Sequence, residues 1–147
     1  MANWIETKVR YEKTMENGLQ KNVTEPYLVD ALSFTEAEAR ITEEVTHYIS
    51  GEFSVSAVKR TNICEIMPSD EADADKWYKV KAAFISINEK TLAEKRSNSY
   101  YLVQAGDLKK ALAAFEKGMK GTMADFEIIA ISETAIMYVY NYKADKG

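Results

Sequence analysis

Trp4-Ile-Glu-Thr-Lys-Val-Arg-Tyr11 returns later in the chain as Trp77-Tyr-Lys-Val-Lys-Ala-Ala-Phe84, and Tyr27-Leu-Val-Asp-Ala31 returns as Tyr101-Leu-Val-Gln-Ala105. The offset is 73 residues from Trp4/Trp77 to Tyr11/Phe84 and 74 from Tyr27/Tyr101 to Val45/Met119. It is 73 again from Phe53/Phe126 to Ile63/Ile136. The slips fall in a hairpin loop and after a helix, where insertions are tolerated. This is the signature of an internal duplication, and it constrains architecture before any residue is read for chemistry.

Within the quoted stretch Ile5, Thr7, Val9 and Tyr11 alternate with Trp4, Glu6, Lys8 and Arg10, which is strand period. Asn17-Gly18 supplies a hairpin turn. Val23 to Leu32 returns as a second strand, with Pro26 pointing to an edge or a bulge. Ser33 and Glu36 form a capping box that opens a helix. Its expected buried stripe is Phe34, Ala37, Ile41, Val45 and Tyr48. Phe53 to about Met67 reads as one long closing strand, bent near Lys59-Arg60-Thr61-Asn62. Copy two repeats the order: strands Trp77 to Asn88 and Arg96 to Ala105, then a helix capped by Asp107. That helix carries Leu108, Ala111, Leu112, Phe115 and Met119 as its stripe and is stopped by Gly118 and Gly121. A closing strand runs from Phe126 to about Tyr142.

The expected fold is therefore α+β: two tandem β-β-α-β repeats, pseudo-twofold related, with antiparallel sheet in order 2-1-3 and the helices on one face. The sequence leaves open a single six-stranded sheet or two sheets packed together. The expected division is 1–67 for the first repeat, 68–76 for an acidic linker and 77–147 for the second, all in one compact domain.

Composition narrows the classes. With 46% hydrophobic and 11% aromatic residues over 147 positions, the chain can bury a core of ordinary domain size. No apolar run reaches the about 20 residues that span a membrane. The opening Met-Ala-Asn-Trp-Ile-Glu lacks the basic start and apolar middle of a signal peptide. One cysteine allows no internal disulfide. A cytoplasmic protein is the expectation. Residues 4–67 hold 7 basic and 11 acidic side chains, 68–76 hold 1 and 4, and 77–147 hold 11 and 8. The linker, Pro68 to Lys76, reads as short and solvated. The mildly basic second half fits an anionic partner or simply a solvated surface.

Chemistry-bearing motifs are sparse. One histidine, His47, and one cysteine, Cys64, do not supply the ligands of a zinc site. His47 reads as a helix-end residue, and Cys64, opposite Met137 in the repeat, reads as apolar or half-buried packing. Gly118-Met-Lys-Gly121 follows a helix, so it is a terminator rather than a phosphate loop. Neither a cofactor nor a metal site is expected. Glu36, Glu43 and Glu44 on the first helix match Lys110, Lys117 and Gly118 on the second. They read as solvated faces that would complement each other if the helices lay side by side.

The one positive signal is aromatic and basic alternation on the first strand of each copy. Trp4, Lys8, Arg10, Trp77, Lys79 and Lys81 form a candidate face for single-stranded nucleic acid, where rings stack bases and cations track phosphates. Tyr100, Lys95 and Arg96 could extend it. The competing reading buries both tryptophans as scaffold, as expected of residues shared by two copies.

Lys21 to Arg40, together with Trp4 to Tyr11, Ile49-Ser-Gly-Glu-Phe53, Gly118-Met-Lys-Gly-Thr-Met-Ala-Asp125 and Glu133-Thr-Ala-Ile136, resembles a small bacterial and bacteriophage family, domain of unknown function 4494. The resemblance covers nearly the whole chain and implies no activity, cofactor or catalytic residue. Its phage setting favours nucleic-acid or mobile-element roles. Three functions are thus expected in order: a non-enzymatic binding or adaptor protein, with an unknown protein partner or a homo-oligomer formed through exposed sheet edges; a single-strand nucleic-acid binder; and an enzyme using carboxylate chemistry.

Overall fold

The computed structural model describes residues 3–141. Its elements run β1 (Trp4–Thr14), β2 (Gln20–Asp30), α1 (Phe34–Val45), β3 (Phe53–Arg60), β4 (Ile63–Met67), β5 (Lys76–Ile87), β6 (Glu94–Ala105), α2 (Leu108–Gly118), β7 (Asp125–Glu133) and β8 (Val139–Tyr140). They form an α+β protein with two four-stranded sheets, ordered β3-β1-β2-β8 and β4-β6-β5-β7. The expected 2-1-3 order is present in both, and each sheet gains a fourth, parallel strand.

Local chemistry explains the elements. Gly18 takes φ +84° in the first hairpin, a left-handed value that a side chain disfavours. The Ser33 hydroxyl accepts the Glu36 amide at 3.1 Å, and the Asp107 carboxylate accepts the Lys110 amide at 2.8 Å. Each cap satisfies one amide that a helix start leaves orphaned. Pro26 sits in β2 just before Leu28 and Val29, the two residues that β8 covers.

The long closing strand is a correction. It ends inside the expected bend, where the Thr61 amide and hydroxyl both donate to the Trp4 carbonyl, at 3.1 and 2.7 Å, as the last rung beside β1. Thr134 does the same to the Trp77 carbonyl, at 2.8 Å for each. Past this last rung the chain leaves the sheet it was closing. The chain also changes unit at these points: among the described residues, 3–61 and 135–141 make one compact unit, and 62–134 the other. β4 therefore lies in unit 2 and β8 in unit 1. The compact units divide at Thr61/Asn62 and Thr134/Ala135, whereas the composition change lies at 68–76. Tyr142, the expected end of the last strand, lies outside the described residues.

In unit 1, Val9, Tyr27, Val29, Ile41, Val45 and Tyr140 form the core between sheet and helix, with Ile5, Ala31 and Ala37 beside them. In unit 2 the same layer holds Val80, Ala82, Tyr101, Val103, Phe115 and Met119, with Tyr78, Ala105 and Ala111. The outer members of the predicted stripes are corrections: Phe34, Tyr48, Leu108 and Leu112 are exposed. Each helix is barely three turns long and contacts its sheet along one line of i, i+4 positions, and these four residues fall off its ends or to one side.

The outermost strands β3 and β7 each carry a bulge, with Ser56 and Ile129 as the extra residues. Bulges at exposed edges discourage further strand addition.

Candidate functional site

The six sequence-predicted residues share the strand faces turned away from the helices, since Ile5 and Val9 on β1, and Tyr78 and Val80 on β5, face the cores. Trp4 and Trp77 are each only 5% exposed. Neither ring offers a face to a base, which corrects the stacking half of the expectation; indole burial outweighs the strand alternation that placed them beside lysines. Lys8, Lys79 and Lys81 are half-buried and Arg10 is exposed. The Lys79 ammonium lies 4.8 Å from the centre of the Tyr100 ring, and Arg96 is paired with Glu127 at 2.7 Å.

The remaining candidate side chains, His47 and Cys64, lie just beyond α1 and on β4. His47 is exposed just beyond α1, where its amide donates to the Glu44 carbonyl at 3.3 Å. Cys64 is exposed as a residue, against the expectation of packing, because β4 is an edge strand. Its thiol nonetheless rests on the Tyr101 hydroxyl, and local burial pushes it above the ordinary thiol value. Among the described residues no group of three or more His, Cys, Asp or Glu could hold a metal ion.

The tyrosines behave alike. Burial, then the Glu25 carboxylate that accepts its hydroxyl at 2.8 Å, push Tyr11 up to about 12. Burial and the neighbouring Cys64 push Tyr101 up to about 12. Tyr27 and Tyr140 are raised further, chiefly by burial. A raised folded value means that the folded chain holds these protons more tightly than the unfolded chain does. The associated stability is complete below the unfolded value of about 10 and is lost as pH climbs through about 12. An alkaline titration should show phenolate absorbance rising late and together with the loss of β ellipticity. Phenolate formation in these four residues without unfolding would contradict the burial.

A site that the motifs did not reveal lies in unit 2. The acidic linker is not a free tether. Its Ser69 amide donates to Gln104 Oε1 at 3.0 Å, and Gln104 Nε2 donates to the Ala74 carbonyl at 3.0 Å. One side-chain amide thereby pins both ends of the loop. Ala74 is buried at 7% exposure, and Lys110 Nζ meets Asp73 Oδ2 at 2.6 Å. That contact holds the Asp73 carboxyl below its ordinary range and the Lys110 ammonium above its own.

One glycine admits this strap, and a second packs beside it on the end of β4. A Cβ on Gly106 would stand 2.7 Å from the Asp73 carbonyl oxygen, and one on Gly118 would stand 3.1 Å from the Met67 side chain. Gly118 is the last residue of α2 and packs on the flexible end of Met67, and Gly121, with φ +93°, makes the turn. Leu32 and Glu44 occupy the matching places in the first copy, so the strap's berth is specific to the second. Glu36 pairs with Arg40 at 2.5 Å and Lys110 with Asp73, each inside its own unit.

Between strap and α2 the fold leaves an open groove of about 740 Å³. Met67, Ala105, Ala113 and Ala114 line it with apolar surface, Asp70 and Glu71 stand on the strap, and Lys110 and Lys117 stand on the helix. Lys110 is engaged by Asp73, whereas Lys117 has no ion-pair partner among the described residues. Sequence could have flagged the site through the departures of copy two from copy one, namely glycine for Leu32 and for Glu44.

Among the described residues no helix is long and apolar enough to cross a membrane. Neither the curated proteins nor the solved structures contain a match to this chain. A family model described as a domain of unknown function (DUF4494) matches residues 3–142, beginning one residue before β1 and ending two after β8, so the chain belongs to that family.

Proposed function

We propose that this chain is a non-enzymatic binding protein and that it holds an extended segment of a partner polypeptide in the groove between the strap and α2. The observation that carries this reading is the strap itself, an acidic segment fastened so that its two outer carboxylates stand across an apolar floor from Lys117. The groove's volume lies within the about 300–1,000 Å³ of ligand-binding clefts. Both signs of charge border one apolar trough. A nucleic acid or small anion would meet Asp70 and Glu71, while a polypeptide can offer an apolar side chain between an acidic and a basic one. The exposed cysteine supports a reducing, cytoplasmic setting. Single-strand binding would rest on Lys8, Arg10, Lys79 and Lys81 without stacking, and is the weaker reading.

Selection of a random-peptide display library on the full-length protein tests the proposal. Enriched peptides should share an apolar residue flanked by opposite charges. They should lose binding to Ala113→Trp, which fills the groove from an exposed helix position, and bind Lys117→Glu more weakly by about tenfold. No enrichment, or equal binding to Ala113→Trp, would overturn it.

A further inference from the structure

The tip of the hairpin between β5 and β6 keeps a leucine where the backbone favours glycine. Asn88 closes this loop twice over. Its side-chain oxygen accepts the Lys90 and Thr91 amides at 2.9 and 3.1 Å, and its carbonyl accepts the Leu92 amide at 2.7 Å. That closure leaves Leu92 at φ +61°, in the left-handed region that a bulky side chain disfavours. The matching hairpin of the first copy has Gly18 at this place, with φ +84°; Gly18 and Leu92 each stand two residues before the strand that leaves the tip. Leu92 is 77% exposed, so its side chain contributes little packing against that strain. Ile87, the last residue of β5, is 63% exposed.

We propose that the strap groove holds this tip of a second copy of the chain, so that copies join head to tail. The inference rests on the reading of the groove as a polypeptide site and names its occupant. Charge complementarity selects the tip. The groove has an apolar floor with Asp70 and Glu71 on the strap and Lys117 on the helix, and the tip offers Leu92 with Lys90 two residues before it and Glu94 two after. Lys90 and Lys117 have no ion-pair partner among the described residues. Glu94 meets Arg96 at 3.8 Å, an exposed pair of little strength, and Arg96 is held more closely by Glu127 at 2.7 Å. The first tip does not match: Asn17 and Lys21 stand at those places around its exposed Leu19, so no opposite charges flank it. Tip and groove both lie in unit 2, but the tip precedes Glu94 and the groove borders Ala105. These are the two ends of β6, about 35 Å apart at the rise of a strand, so a tip cannot enter its own groove. A contact between two unlike surfaces does not saturate in a pair, and it builds rings or open chains.

Static light scattering from the full-length protein, at concentrations up to about 1 mM where even a weak contact is populated, should show species growing past the dimer. Leu92→Asn places a residue that tolerates the left-handed backbone and removes the apolar anchor. It should stay monomeric, with a thermal midpoint no lower than that of the unaltered chain. Ala113→Trp blocks the groove and should also stay monomeric. Mixed in equal amounts, the two variants should form a dimer that grows no further, because one brings the working groove and the other the working tip. Lys117→Glu should weaken assembly about tenfold, and adding Glu94→Lys to the same chain should restore it. A monomeric unaltered chain at the highest concentration, assembly that survives Leu92→Asn, or a mixture that stays monomeric would overturn the inference. Peptide capture by an unaltered chain that stays monomeric would sink the self-partner and spare the groove, whereas loss of both capture and assembly would sink the two together.

Discussion

Replacing Gly106 by alanine should lower the stability of unit 2 by about 1–3 kcal/mol, the usual cost of forcing a methyl into a filled site. It should also abolish peptide capture in the strap groove. The reason is geometric. The added Cβ would stand 2.7 Å from the Asp73 carbonyl oxygen, a backbone atom that cannot swing aside as a side chain could. The strap must lift, and lifting it separates Gln104 from both Ser69 and Ala74. Each of those hydrogen bonds contributes about 0.5–1.5 kcal/mol. The buried methyl of Ala74 is exposed in the same movement. Gly51→Ala is the control, because its Cβ would meet nothing within 4 Å; reduced freedom in the unfolded chain should make that change neutral or slightly stabilising. Urea denaturation gives the stability difference. Hydrogen exchange at Ser69, whose amide donates to Gln104, reports the strap, and this amide should lose protection in Gly106→Ala while those of β5 keep theirs. Unchanged protection would mean that the strap tolerates the methyl and that the glycine has another cause.

The strap also shows where sequence reading stops. Pro68 to Lys76 is acidic and short, and composition alone makes it a tether. What docks it is a glutamine on β6 and a glycine before α2, both distant in sequence and neither remarkable by type. The tryptophans teach the same lesson from the other side. Their alternation with Lys8, Lys79 and Lys81 is a correct strand pattern, yet period alone cannot say whether the face opposite the helix is wet. The hairpins, caps and strand order were legible because each depends on chemistry within a few residues: Gly18 at φ +84°, and Ser33 and Asp107 at the helix starts. The transfer of the closing strands to another sheet was not, because it is decided by pairing with strands far off in sequence, β4 with β6 and β8 with β2. Nothing in the alternation of Phe53 to Met67 records that pairing beyond the bend near Lys59 to Asn62.

Phe115→Ala should be the most damaging single change in unit 2, at about 3–5 kcal/mol, a large share of the about 5–15 kcal/mol that domains of this size possess. The ring is fully buried and meets Tyr101 edge-on at 5.1 Å and Phe126 at 6.0 Å between centres. Its other neighbours are Val80, Ala82 and Val103, short or branched side chains on strands that cannot collapse into the space. Met119 and Met67 are the flexible side chains of this cluster, so the cavity should fill only in part. Phe115→Leu separates the contributions, since it restores much of the volume without either aromatic edge. Those edges contribute about 0.5–1.5 kcal/mol per pair, so the leucine variant should recover more than half of the loss. A second readout is local. Tyr101 packs on Phe115 while its hydroxyl holds the Cys64 thiol. Loosening the ring should expose the sulfur to solvent, and relief of burial, the largest cause of its raised value, outweighs loss of the Tyr101 hydrogen bond, which had lowered it. Cys64 should then react faster with a disulfide reagent at neutral pH under conditions where the variant is still folded. A variant that loses stability without gaining thiol reactivity would show that Tyr101 is positioned by the sheet rather than by Phe115.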